Sequence, residues 1–442
     1  MTYDLTTGNV FRRLIYFSLP YFLSYFMQTL YSLVDLLVVG MYHGTATVAA
    51  VSVGSQVLHM MTVMIVGLSM GATVRIGFAI GQGDSERAAQ TIGNTVIFFV
   101  IFALISTGVL LFYTSPITLL MMTPPESVTE TIQYLTVCFA GIPFVVAYNV
   151  ISAIFRGTGD SKTPMIFVAI ACGVNIILDF LLVAGFHMGA LGAAWGTILA
   201  QAFSTVCALF WLKHRPLGLT FRKKCFYPKS ALLREISIAG IPIALQDGFI
   251  QVAFLFITMI ANSRGVEIAA GVGIVEKVIS FLFLVPSSML SSISAIAAQN
   301  IGAGKVNRAK KTLFHGLRFC IIYGIAVFAY CWFFPETLLG LFSKDSAVIT
   351  YGCQYLSAYA IDCIFAGIHF CFSGYYCGCG HSGISFLHNF LSILLVRIPG
   401  TYFASKFFAT SLFPMGLAAP CGSILSCLIC LLFYHYLNRK GG

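Results

Sequence analysis

Ile80–Ala88 reads IGQGDSERA, and 221 residues later the chain reads IGAGKVNRA, at Ile301–Ala309. That offset is half of the 442-residue length. One recurrence can arise by chance, so the register has to hold at other landmarks. QYL at Gln133–Leu135 returns at Gln354–Leu356, and RGTGDS (Arg156–Ser161) is answered by CGCGHS (Cys377–Ser382). Pro20 pairs with Pro242, one residue out of register, and Gly196 with Gly422, five residues out through a longer loop. The chain is an internal duplication, with halves 1–218 and 219–442.

The duplicated unit is a membrane unit. Hydrophobic residues make up 58% of the chain and charged residues 9%, where a soluble protein carries about 25% charged. Apolar windows of about twenty residues, enough to cross ~30 Å of hydrocarbon, recur throughout. The ~10-residue alternating segments of a transmembrane barrel do not. The expected fold is an all-α polytopic membrane protein of twelve spans. They lie near 14–40, 48–74, 91–113, 131–154, 165–186, 190–212, 236–261, 268–297, 315–335, 350–374, 385–408 and 417–437. The first is too long for a cleavable signal, holds Asp35 and lacks an A-x-A site, so it stays as a helix. Six spans per half is an even number, so both halves enter the membrane in the same orientation. The relating axis then runs along the membrane normal, as in the parallel repeats of many secondary transporters.

Lys and Arg set the orientation. With both termini inside, 18 of the 25 basic residues fall on inner segments, among them Arg12, Arg13, Arg87, Arg215, Lys305 and Lys440. The termini are therefore expected to be cytoplasmic, in a multi-pass protein of the cell's inner (plasma) membrane. This asymmetry accounts for the net charge of +10 without a nucleic-acid partner, which would need a folded basic surface. The run KHRPLGLTFRKK (Lys213–Lys224) reads as a topology anchor at anionic lipid. A monomer is expected.

Enzymatic chemistry finds little support. Most of the fourteen cysteines stand singly in apolar spans, where free Cys behaves as a small hydrophobe. CGCG (Cys377–Gly380) has no second cluster at zinc spacing. The glycine pairs GQG, GAG, GTG and GCG sit at inner turns between spans, with no strand before them, so they read as tight connections needing positive φ rather than phosphate loops. No HExxH, Walker pattern or Ser–His pairing is present. No cofactor or resident metal is expected.

Asp35 is the conspicuous residue. It sits in LYSLVDLLVVG (Leu30–Gly40), the sole charge between Leu14 and Val39. An aspartate near a span centre costs about 2.5–3.5 kcal/mol on insertion scales, and each Leu, Ile, Val or Phe returns only about 0.3–0.6.

These landmarks together resemble the multidrug and toxic compound extrusion (MATE) family. The resemblance is carried by the two-repeat arrangement, the LP opening span one, Asp35 with Gly40 after it, and the GxGxxxRA inner loops. RGTGDSKTP (Arg156–Pro164), NIILD (Asn175–Asp179) and GAAWGT (Gly192–Thr197) extend it over essentially the whole chain. It implies two six-helix lobes in a V, alternating access, and export of organic, usually cationic, compounds in exchange for protons or sodium ions. One bacterial branch places its coupling-cation site in the N-terminal lobe, which maps here onto Asp35, Asn175, Asp179 and Thr197.

The residue types fit that chemistry. Asn175 and Asp179 are i and i+4, on one helical face. Two acids sharing a low-dielectric cavity do not both ionise cheaply, so one holds a proton or both face a cation. Sodium takes hard oxygen ligands, which these four side chains offer. Structural pairing of an intramembrane acid with Asn or Thr is the competing reading.

The second half departs from another branch of the family. Where that branch has an essential Glu in span seven, this chain has Gln251, and its span-ten acid, Asp362, lies about one helical turn early. Asp247 and Asp362 remain candidates for a cavity, and Arg397 either neutralises an acid such as Asp362 or snorkels. The substrate cavity is expected to be apolar and aromatic with pliable Met contacts, lined by Gln28, Tyr31, Met61 and Met64. A lipid-linked oligosaccharide flippase of the related superfamily is the alternative. It would want Arg and Lys in its cavity, where Asp35 and Asp179 would repel the ligand.

Overall fold

The computed structural model describes residues 4–214, 217–408 and 410–440. Arg215 of the basic run lies outside the described residues, as does the side chain of Lys440. Every regular element among the described residues is helical. Only a helix or a closed barrel satisfies its own backbone in lipid, so this follows from the composition.

The first half contains α1 (Val10–Tyr42), α2 (Thr45–Gly81), α3 (Ser85–Phe112) and the short α4 (Thr114–Leu120). It continues with α5 (Val128–Ala140), α6 (Ile142–Gly157), α7 (Lys162–Asp179) and α8 (Gly189–His214). The second half contains α9 (Ser230–Asn262), α10 (Val266–Leu282), α11 (Leu284–Gly302), α12 (Val306–Phe333) and the short α13 (Pro335–Leu339). After these come α14 (Ser346–Tyr359), α15 (Asp362–Gly378), α16 (Ser382–Ser392), α17 (Ile398–Phe407) and α18 (Phe413–Lys440). Among the described residues, ten helices or helix runs are long and apolar enough to cross a bilayer, and two further pairs do so only together. Those pairs, ending in α6 and α15, each bend by 45°, at repeat-equivalent positions. Counting each as one span gives twelve.

Two compact units emerge: Leu19–Ala244 with Met1–Leu5, and Leu245–Gly442 with Thr6–Ser18. The first is built around Ile76, Phe99, Tyr134, Leu135 and Phe139, all almost fully buried. The second is built around Val275, Tyr355, Leu356, Leu412 and Met415. Lipid-facing residues such as Leu104, Ile105 and Phe112 of α3 are exposed, as a membrane span requires.

The recurring loops acquire a physical meaning here. Gly83 (φ +73°) and Gly304 (φ +70°) take the left-handed conformation that lets α2 and α11 stop and the chain reverse. In the first loop Asp84 then caps α3, its Oδ1 accepting from Arg87 N–H at 2.8 Å. In the second loop Lys305 stands at that place and cannot cap; its ammonium donates to the Thr6 carbonyl at 3.0 Å instead.

The loop arginines have matching jobs. Within the first unit Arg87 pairs with Glu235 of α9 at 3.3 Å. Within the second, Arg308 donates to the carbonyls of Thr7 and Gly8, both at 2.7 Å, just before α1. The linker after α8 is strapped to α3. The Asn94 amide donates to the carbonyls of Cys225 and Tyr227 and accepts from Lys229 N–H at 2.7 Å.

Candidate cation-coupling site

The first unit brings the four N-terminal candidates together. Asp35 is 4% exposed, Asn175 2%, Asp179 0% and Thr197 5%. The Thr197 hydroxyl donates to Asp35 Oδ2 at 3.3 Å. The two carboxyl groups lie within hydrogen-bonding reach of each other, yet Asp35 Oδ1 and both oxygens of Asp179 have no hydrogen-bond donor among the described residues. These facts are consistent: two carboxylates offer each other only acceptors, so a proton or a cation must complete the contact. Asn175 flanks Asp35 without a well-formed bond, its amide nitrogen and oxygen both unpaired. An unmade polar contact at a buried group costs about 1–3 kcal/mol, more when charged. A cluster with three such side chains, Asp35, Asn175 and Asp179, is therefore poor structural glue. No Lys or Arg among the described residues acts on either carboxyl. Tyr31, Tyr134, Cys138 and Cys172 lie within electrostatic reach of Asp35, which makes its surroundings weakly polar and uncharged.

The backbone around this cluster is specialised. The helix carrying Asp179 passes directly into a π-helical segment, Phe180–Gly185, a widening often found at functional sites. α8 approaches it through glycine. A Cβ at Gly196 would land on Asp179 Oδ1, and one at Gly192 would press on the Leu182 carbonyl at 3.2 Å. GAAWGT thus supplies a bare helical face, two glycines at i and i+4, that lets the Asp179 carboxyl lie against α8, and the next residue, Thr197, reaches Asp35. The sequence reading singled out Thr197 as a ligand, but Gly196 only as a repeat landmark paired with Gly422, with no role at the site.

The cavity candidates are distributed. Gln28, Tyr31, Met61 and Met64 are half-buried in α1 and α2 of the first unit, and Asp247 and Gln251 are half-buried one turn apart on α9 in the second. Asp362 is fully buried at the start of α15. There Arg397 meets it at 3.2 Å, so neutralisation, not snorkelling, is what that arginine does. Arg397 also donates to the Ser423 hydroxyl at 2.7 Å, and Ser423 lies 3.3 Å from His369 Nε2. His369 packs edge-on to His388, ring centroids 5.5 Å apart, and His388 meets the Ser373 hydroxyl at 2.8 Å. The sequence offered only Arg397 as a possible neutraliser of Asp362; the rest of the network spans three helical runs and leaves no local pattern. A cleft of about 440 Å³ in the second unit, lined by Phe256, Met259, Arg264, Tyr402 and Lys406, contains none of the candidate acids.

Comparison with known proteins adds an independent line. The chain is 29% identical over 440 residues to the Probable multidrug resistance protein YpnP of Bacillus subtilis, covering 99% of this chain and 98% of that one. It is 27% identical over 432 residues to the Probable multidrug resistance protein NorM of Thermotoga maritima, covering 96% and 92%. Among solved structures, an outward-facing multidrug resistance MATE family transporter superposes with a TM-score of 0.91 at 20% identity, over 99% of this chain and 97% of that one. A MOP superfamily transporter from Pyrococcus furiosus gives 0.91 at 21% identity, over 97% and 96%. The MatE family model matches residues 20–181 and again 242–403, once in each half of the duplication. Twelve helical spans, a repeated family match and full-length relatives lead to one conclusion: this chain belongs to the MatE family of membrane transporters and is not an enzyme.

Proposed function

We propose that the chain is a secondary active antiporter that exports organic, chiefly cationic, compounds in exchange for protons or sodium ions. Its coupling ion binds at Asp35 and Asp179, with Asn175 and Thr197 as neutral oxygen donors. The observation that carries this reading is the pair of buried carboxyls facing each other with no basic partner in reach among the described residues. A proton held between them, or a sodium ion ligated by their oxygens, removes most of the cost of burying them. If the site opens to water in one conformation and closes in another, ion binding has different free energies in the two. That difference is what lets an ion gradient drive a conformational cycle. Relatives named as multidrug resistance proteins support a drug-like substrate. The half-buried Gln28, Tyr31, Met61 and Met64 are the proposed apolar and aromatic lining, with Asp247 and Gln251 in the second unit. Asp362, already neutralised by Arg397, has the weaker claim to meet a cationic substrate. The protein is placed in the plasma membrane with both termini cytoplasmic, on the strength of its Lys and Arg distribution.

The test uses purified protein in liposomes, following a fluorescent organic cation under an imposed proton gradient and then a sodium gradient. Transport driven by one gradient and lost in Asp35→Asn is the expected result and names the ion. No cation transport under either gradient, with the protein folded, would overturn the exporter reading.

A further inference from the structure

The helix end beyond Asp179 makes a contact that the coupling site does not use. α1 stops at Tyr42, and the next residue, His43, reaches the π-helical segment: its Nε2 lies 3.2 Å from the Val183 carbonyl oxygen. A carbonyl only accepts, so Nε2 carries the hydrogen here. Val183 is fully buried and within the last turn, where helix carbonyls run out of intrahelical donors. The amide that a π-helical ladder would send to it, Met188 N–H, goes to the Leu182 carbonyl at 3.0 Å instead. A side chain from the end of α1 therefore serves a helix-end carbonyl of the α7 run. The bond lies eight residues beyond Asp35 and four beyond Asp179, on the same two helical runs.

The connection that follows leaves little slack. His187 (φ +54°) and Gly189 (φ +57°) are both left-handed. A Cβ on Gly189 would touch Thr47 at 3.4 Å and the His43 ring at 3.7 Å. The charged and titratable groups around the His43 ring are His187, edge-on at 6.4 Å between centroids, and Glu130 of α5. Both line the same pocket of about 180 Å³ with Thr47 and Gln133.

We infer that His43 is a positioning residue for the coupling acids: its bond to Val183 fixes the register of α1 against α7, and so the separation across which Asp35 and Asp179 share their ion. The inference rests on the proposed coupling role of that pair. A lost register leaves both acids in place but mismatched, so the ion binds more weakly while the transport machinery stays intact.

The test measures liposome transport as a function of coupling-ion concentration, proton or sodium, for His43→Phe, His43→Gln and His43→Asn. Phe keeps the ring without the donor. Gln places an amide nitrogen where Nε2 was, and Asn is polar but too short to reach. Phe and Asn are expected to raise the half-maximal ion concentration about five- to tenfold, the scale of one hydrogen bond, and Gln to stay within about twofold of the parent. A protein that is merely less well folded loses amplitude at an unchanged midpoint. Unchanged midpoints in Phe and Asn, or Gln as impaired as Phe, overturn the inference. If Asp35→Asn itself transports normally, the coupling reading fails; if Asp35→Asn is inactive and Phe keeps the parent midpoint, only the His43 inference fails.

Discussion

Asp35 and Asp362 are both buried carboxyls in helical units of one duplicated protein, but their surroundings differ. Asp362 has an arginine 3.2 Å away, itself bonded onward through Ser423 toward His369. Asp35 has a threonine hydroxyl, an amide without a formed bond and a second acid. A buried ion pair is closed: its charges satisfy each other, and removing one partner leaves the other stranded. A buried acid pair is open, because something from outside must satisfy it. The lesson is that burial alone does not distinguish the two acids: Asp362 comes with a built-in counter-charge, and among the described residues Asp35 does not.

The sharpest way to break this comparison is Asp35→Asn, which should reduce gradient-driven transport to the level of empty liposomes with expression unchanged. Normal transport would mean that the open pair is structural. Next in size is Arg397→Met, which strands Asp362. Breaking a buried pair costs about 3–5 kcal/mol, read as a large drop in the thermal midpoint of monodisperse protein. The double variant Asp362→Asn/Arg397→Met should recover most of that loss, and a failure to recover would give Arg397 a role beyond neutralising Asp362. Gly196→Ala probes the open site without touching a ligand. Its Cβ would displace the Asp179 carboxyl, and transport at limiting ion should fall about tenfold, the equivalent of roughly 1.4 kcal/mol of lost ion binding. A parent-like ion dependence would show that the carboxyl has room to move. The smallest effect is expected from Gln251→Ala, within about twofold. Complete inactivation would move a coupling group into the second unit and erase the contrast.

Much of the fold was legible because the physics is local. Lipid forces backbone bonds inside each segment, so a twenty-residue apolar window has one fate. The 45° bends at the ends of α5 and α14 were not legible: Gly141 and Pro143 at the first and Asp362 at the second lie inside windows still apolar enough to read as one unbroken span. At the candidate site the i, i+4 spacing of Asn175 and Asp179 is enough to put two polar groups on one helical face. Nothing in the spacing said that Arg397 lies against Asp362, 35 positions earlier and on another helix. The loop motif shows the same limit: Asp84 and Lys305 occupy matching positions, yet one caps a helix and the other binds the chain before α1.

The sequence by itself determined a duplicated, twelve-span helical membrane protein, with a few acids too costly to be incidental. Composition, periodicity and repeat register depend on each residue's own transfer energy and on its neighbours along the chain. The tertiary structure alone decided which acid is neutralised and which is open, and that a glycine in α8 makes room for Asp179. Those outcomes depend on which helix faces which across a few ångströms. Close packing fixes that facing, and groups distant in sequence satisfy or fail to satisfy one another only once it is set.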